Sequence, residues 1–226
     1  MSKTILVSGA NGNLGKAVVQ NFLKNNYTVI GLVHHQKDEI KNENYNEFEV
    51  DLTDEAATAK TINAILEKHQ DIAAAVLTTG GFTLGNIEKT GQKELQKQYA
   101  LNFETAYFVT RSVLPNMKKN KKGKIFFIGS EPGMQTSKAK GVVAYALAKS
   151  QLFQLANILN SETEKTGIQA HVVVPTTIDT PQNRKAVPKA DFNKWQKSKD
   201  IAEIIQDYAE DFTKQKSIIE IKNILK

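Results

Sequence analysis

The chain contains no cysteine, which rules out disulfides, a thiolate nucleophile and cysteine-ligated zinc. No tract rich in proline, glycine or serine divides it, and it carries neither an internal repeat nor a low-complexity segment, so a single domain is expected. Long hydrophobic runs are missing too. Stretches such as Ile72 to Leu77 fall far short of the roughly 20 apolar residues that span a bilayer, so no membrane partner is expected. A strand pattern begins almost at the first residue, which predicts no signal peptide and a cytoplasmic location. What is present is a chain of 226 residues, 40% hydrophobic, ample for one core.

Acidic residues are in the minority, giving a net charge of +6 and a pI near 9.2. That balance favours an anionic partner. The densest basic run is Met117-Lys118-Lys119-Asn120-Lys121-Lys122-Gly123-Lys124. It reads as nucleic-acid contact or as a solvated loop between a helix and a strand. No aromatic residue interleaves with the lysines, so the solvated loop, and no nucleic-acid partner, is the expectation.

Strand-like and helix-like patterns alternate. Thr4 to Val7, Thr28 to Val33, Phe48 to Val50, Ile72 to Leu77, Lys124 to Ile128, Gln169 to Val174 and Ser217 to Lys222 read as strands. Helical spacing covers Leu14 to Leu23, a segment capped by Thr53 or Asp54 that runs to about Glu67, roughly Leu95 to Met117, Val143 to Glu164, and Ile201 to Phe212. Apolar strands between helices imply an α/β fold: a doubly wound, Rossmann-type parallel sheet with helices on both faces.

The first strand ends at Gly9-Ala10-Asn11-Gly12-Asn13-Leu14-Gly15, and a helix follows. Glycines here let a pyrophosphate approach the backbone at a helix N-terminus. The same spacing also suits a tight strand–helix turn without ligand. The second strand ends in Val33-His34-His35-Gln36-Lys37. It offers no carboxylate for a ribose 2′-hydroxyl, and Lys37 is close by, so NADP(H) is favoured over NAD(H). His34 and His35 read equally as a polar strand end. Metal binding there is not expected, because adjacent strand residues point to opposite faces; His69 and His171 read as structural. Asp51 and Leu52 border an adenine site or form a turn, and Thr79, Gly80 and Gly81 end the fourth strand at the ligand-binding edge of such a sheet.

Downstream lies Tyr145-Ala146-Leu147-Ala148-Lys149. Four residues apart on a helix, Tyr145 and Lys149 share a face. A neighbouring ammonium favours phenolate and lowers a tyrosine pKa, so Tyr145 could exchange a proton with a substrate oxygen. Ser130 follows Ile125-Phe126-Phe127-Ile128-Gly129 and could donate to a carbonyl oxygen or simply cap a helix. Asn102 sits inside a helix, where it has no propensity advantage; it holds a water near Lys149 or acts as a buried polar staple. Together these residues predict a nicotinamide-dependent oxidoreductase acting on a small-molecule substrate. The alternative is a non-catalytic dinucleotide-binding redox sensor, which would need neither the Tyr145–Lys149 pair nor Ser130.

The glycine turn, Asp51, Asn102, Ser130, Tyr145 and Lys149 occur in an order that resembles the short-chain dehydrogenase/reductase family over essentially the whole chain. The resemblance implies a catalytic tetrad of Asn102, Ser130, Tyr145 and Lys149. It further implies that Lys149 reaches the nicotinamide ribose, that the Pro175 segment follows the sixth strand, and that Ile178 and Thr180 face the nicotinamide or phosphates. The stretch from Val174-Pro175-Thr176-Thr177-Ile178-Asp179-Thr180 through Phe192 to Trp195 is similar to dihydropteridine reductases, implying a quinonoid dihydropterin or a carbonyl acceptor. A substrate lid over about 181–200, with Phe192 or Trp195 as an apolar wall, is expected. The resemblance also implies a homodimer or homotetramer, with Tyr99, Phe103, Tyr107, Phe153 and Leu159 serving either that interface or the core.

Overall fold

The computed structural model describes residues 3–36 and 39–221; Lys37 and Lys222, both invoked above, lie outside them. The chain begins with β1 (Thr4–Ser8), α1 (Asn13–Lys24), β2 (Thr28–Val33), β3 (Tyr45–Glu49), α2 (Glu55–Lys68) and β4 (Ile72–Leu77). It continues with α3 (Gln92–Tyr99), α4 (Thr105–Asn120), β5 (Gly123–Ile128), α5 (Glu131–Met134), α6 (Val143–Glu162) and β6 (Ile168–Val174). The last part holds β7 (Ile178–Asp179), α7 (Pro181–Ala186), β8 (Gln196–Lys197), α8 (Ser198–Glu210) and β9 (Ile218–Glu220).

Seven strands form one parallel sheet in the order β3-β2-β1-β4-β5-β6-β9. Side chains alternate across it because successive Cβ atoms in a strand point to opposite faces. Leu6, Ile30 and Phe127 pack under α2, α4 and α6 with Ile62, Val113 and Leu152. Ile5, Val7 and Phe126 pack on the other face under α1 and α8 with Phe22, Ile201 and Ile205. β1 lies between β2 and β4, so the strand order reverses there and opens a crevice at the carboxyl ends of the strands.

Three segments differ from expectation. β3 starts at Tyr45 and ends at Glu49 rather than running from Phe48 to Val50. It is an edge strand paired only to β2, so polar residues fit it and apolar pattern does not mark its limits. The helical tract expected from Leu95 starts at Gln92 and is broken by a π turn at Ala100–Glu104 before it resumes to Asn120. The expected solvated loop at 117–124 shrinks to Lys121 and Lys122, between the end of α4 and the start of β5. Lys121 closes that helix in the left-handed region at φ 50°, and Lys124 is fully buried in β5. Its Nζ donates to the carbonyls of Tyr208 and Asp211, the latter at 2.8 Å, at the end of α8. Burial lowers its pKa to about 8.

Of the aromatic and aliphatic residues expected at an interface or in the core, Leu159 is buried and Phe153 packs against the core. Tyr99 and Tyr107 are exposed, and Phe103 lies between them with ring centroids 4.9 and 5.9 Å away.

His171 is structural, as expected. It is buried in β6, with Nδ1 2.7 Å from the Lys216 carbonyl and its ring stacked on Phe126. Burial lowers its pKa from 6.5 to about 4. The unfolded chain therefore binds a proton that the folded one refuses, and the stability this group contributes is present above pH 6.5 and lost as pH falls toward 4. Urea unfolding from pH 6.5 to 4 should cost the native protein about 3 kcal/mol more than His171→Asn, which keeps a donor for the carbonyl without the titration. Equal pH slopes for the two proteins would contradict this.

Candidate active site

The site is a groove along the carboxyl edge of the sheet. At its first end, the β1–α1 turn carries Gly9 at φ 64°, where a Cβ would stand 3.1 Å from the Thr79 backbone nitrogen. A Cβ at Gly15 would stand 2.1 Å from the Gly9 carbonyl oxygen. Gly12 is the residue before α1, so Asn13, Leu14 and Gly15 present the first amides of that helix, donors that have no partner within a helix. This turn has the form of an anion cradle. Asn11 does not point at the cradle. Its Nδ2 donates to the His35 carbonyl at 3.1 Å and to Glu47 Oε1 at 3.4 Å. Asn13 donates to Gln182 Oε1 at 2.7 Å, tying the turn to α7.

A cavity of about 330 Å³ continues the groove, lined by Gly9, His34, Asp51, Leu52 and Thr79. A second of about 290 Å³ shares Gly9, His34 and Thr79 with it and adds Asn11, Gly12 and Gly80. Asp51 is both a border of this space and a turn residue. Its Oδ1 accepts from Thr53 N at 2.9 Å and Thr53 Oγ1 at 2.7 Å, and these bonds hold its carboxyl below the usual range. His34 and His35 are exposed. A carboxylate does stand near the end of β2, supplied by its neighbour: Glu49 pairs with Val33 in register and accepts from the Gln36 amide at 3.0 Å, with Oε1 3.9 Å from His35 Nδ1. Sequence reasoning missed it because the β2–β3 register brings it there, not proximity in the chain.

The other end of the groove is a cavity of about 390 Å³. Ser130, Tyr145, Lys149, Pro175 and Ile178 all line it. Ser130 does two things. It caps α5 by accepting from Gly133 N at 3.2 Å, and it hydrogen-bonds Tyr145. Enclosure raises the Tyr145 pKa, and the bond to Ser130 offsets only part of that rise. Lys149 is buried, donates from Nζ to the Ile128 carbonyl at 2.7 Å, and is lowered by burial to about 8. The expected lowering of Tyr145 by the Lys149 ammonium is therefore not the net effect in this structure: burial dominates at both groups.

Asn102 is a staple. Held in the π turn, it accepts from Gly81 N at 3.1 Å and donates to the carbonyls of Gly81 at 3.0 Å and Gln98 at 3.1 Å. A Cβ at Gly80 would stand 2.7 Å from Asn102 Oδ1 and 3.3 Å from Lys149 Nζ. The loop after β4 thus passes closely between the two. Thr180 uses its hydroxyl to cap α7, accepting from Asn183 N at 3.1 Å, while the Ile178 carbonyl accepts from Asn183 Nδ2 at 2.8 Å.

Phe192 and Trp195 are not among the residues lining this cavity. Their rings meet edge to face at 4.9 Å, and the Arg184 guanidinium lies 4.7 Å from Phe192 while paired with Asp179 at 2.6 Å. The apolar wall comes instead from Phe82, Ala186 and Val187. Phe82, in the loop after β4, meets Tyr145 edge to face at 5.1 Å. No spacing signal in the sequence pointed to it.

The cradle and groove fit a dinucleotide, and the fit depends on the missing side chains. Gly15→Ala should weaken binding of NADPH, read by fluorescence titration, by about tenfold or more, equivalent to at least ~1.4 kcal/mol. Unchanged affinity in a folded variant would contradict the assignment of the cradle.

Comparisons with known proteins agree with this geometry. The family model for short chain dehydrogenases matches residues 3–191. The uncharacterized oxidoreductase YmfI of Bacillus subtilis is 26% identical over 200 residues, spanning 83% of this chain and 80% of that protein. The 3-oxoacyl-(acyl-carrier-protein) reductase MabA of Mycobacterium avium is 27% identical over 185 residues, spanning 81% and 70%. The solved structure of ElxO with NADP bound has the same fold, with a TM-score of 0.89 at 24% identity, covering 98% of this chain and 97% of that one. With a matched segment that takes in the glycine turn, Ser130, Tyr145 and Lys149, the chain belongs to the short-chain dehydrogenase family of oxidoreductases.

Proposed function

We propose that the protein is an NAD(P)H-dependent reductase that reduces a carbonyl compound or a quinonoid dihydropterin, with Tyr145 as proton donor. The observation that carries this reading is the state of Tyr145. Its phenol is kept protonated by enclosure, is bonded to Ser130, and faces a cavity large enough for a small acceptor. When bound, the reduced nicotinamide supplies hydride. Tyr145 gives its proton to the acceptor oxygen, and Ser130 donates to that oxygen as negative charge grows on it. Lys149 keeps a positive charge close to the reacting groups, and Asn102 fixes the Gly80–Gly81 backbone beside it. The dihydropterin arm rests on the resemblance of residues 174–195; the carbonyl arm rests on Ser130.

Our reading of the cofactor is NADP(H) over NAD(H). It is supported by the absence of an acid at Val33 or His34, and ElxO, of the same fold, has been solved with NADP. The dinucleotide would lie along Gly9, Asn11, Gly12, Asn13, Leu14, Gly15, His34, Asp51, Leu52, Thr79, Gly80 and Gly81 toward Tyr145, Lys149, Pro175, Ile178 and Thr180. A homodimer or homotetramer through the outer face of α3, α4 and α6 is supported by exposed Tyr99, Tyr107 and Ile158. Among the described residues no helix is long and apolar enough to cross a membrane.

Tyr145→Phe should lower NADPH oxidation with an accepted ketone or quinonoid dihydropterin by about 10²- to 10⁴-fold while leaving cofactor binding intact. Full retention of turnover would overturn the reading, and a redox sensor would show no turnover in the native protein at all. Assaying NADH in parallel reads the cofactor preference. Because Lys149 loses its proton near pH 8 while Tyr145 stays protonated, reductive kcat/KM should be flat through neutrality and fall as pH passes about 8. Lys149→Arg should move that limb to higher pH, since a guanidinium stays charged. A limb at the same pH in both proteins would assign it to another group.

A further inference from the structure

The cavity beside Tyr145 has one charge that the proposed chemistry does not use. Glu131 directly follows Ser130 and is the first residue of α5. It is half-buried and lines the cavity. Besides Tyr145 and Lys149, it is the only ionisable residue in that lining among the described residues. Lys149 forms no ion pair with it, its Nζ donating instead to the Ile128 carbonyl, and no ion pair among the described residues takes up the Glu131 carboxylate. The remaining wall is largely apolar, with Ile128, Pro132, Ala186 and Val187. Phe82 completes it and is 61% exposed, so its ring is accessible from the cavity mouth.

A carboxylate in a partly desolvated site repels anions and attracts cations more strongly than it would in water. An aromatic face nearby adds to the attraction for a cation. We propose that the acceptor carries a protonated amino group on a compact apolar body, with Glu131 and Phe82 as the residues that select it. This rests on reading the cavity as the acceptor site. Glu131 acts on which acceptor binds, not on the proton or hydride.

The test uses binding, so it does not depend on turnover. Phenethylamine, phenethyl alcohol and 3-phenylpropionate share an aromatic body and differ in charge; each is titrated calorimetrically into the protein loaded with NADP⁺. The amine should bind about tenfold tighter than the alcohol, and the carboxylate weakest of the three. Glu131→Gln should bring amine and alcohol within about twofold, and Glu131→Asp should keep the preference. An unchanged order in Glu131→Gln, no binding of the amine, or tightest binding of the carboxylate would each overturn the proposal. If Tyr145→Phe keeps full turnover while the amine preference holds, the reductase chemistry fails and the charge selection stands.

Discussion

From inside the protein, the Lys149 ammonium donates to the Ile128 carbonyl at 2.7 Å. A buried cation must be compensated by acceptors or by loss of its proton, and here burial brings its pKa to about 8 while a strand-end carbonyl accepts from it. That single bond locks α6 against the end of β5. Tyr145 stands one turn earlier on α6, and Ser130 stands two residues beyond Ile128, so the same bond brings the phenol and the hydroxyl together. The Asn102 staple completes the arrangement by holding Gly81 from the far side. Without it the backbone of Gly80 would have no reason to run so close to Nζ.

The two ends of the groove obey different physics. The cofactor end is built from backbone: the loop after β4, the start of α1 and the glycine turn, where an added methyl at Gly9 or Gly15 would crowd main-chain atoms. The chemical end is built from side chains whose ionisation is set by burial, upward at Tyr145 and downward at Lys149. The segment from Ile178 to Ala186 joins them. The Asp179–Arg184 pair stiffens it, and the bond between Asn13 and Gln182 ties it to the cofactor turn.

Much of this was legible in the sequence. β2 and β4 have the bounds that apolar pattern alone predicts, because central parallel strands are buried on both faces. The order of the glycine turn, Ser130, Tyr145 and Lys149 pointed to the short-chain dehydrogenase family before any geometry was known. What escaped was set by pairing and packing. β3 is polar and at the edge, so its limits and the position of Glu49 follow from register. The π turn at Asn102 leaves no mark in composition. Lys124 reads as a surface lysine, yet it lies fully buried because the carbonyls at the end of α8 accept from it. Phe192 and Trp195 look like a substrate wall, but each meets the other first, and Phe82, an isolated aromatic in a loop, takes the place beside Tyr145.

The central claim is that Tyr145 is held as a protonated acid poised against the acceptor oxygen. The most direct measurement is an ultraviolet difference titration of native protein against Tyr145→Phe, which isolates the phenolate signal of that one side chain. The account predicts no Tyr145 phenolate below pH 10, the ordinary tyrosine value, because enclosure raises the group above it. A phenolate signal from Tyr145 rising near neutral pH would contradict it and make this residue a base.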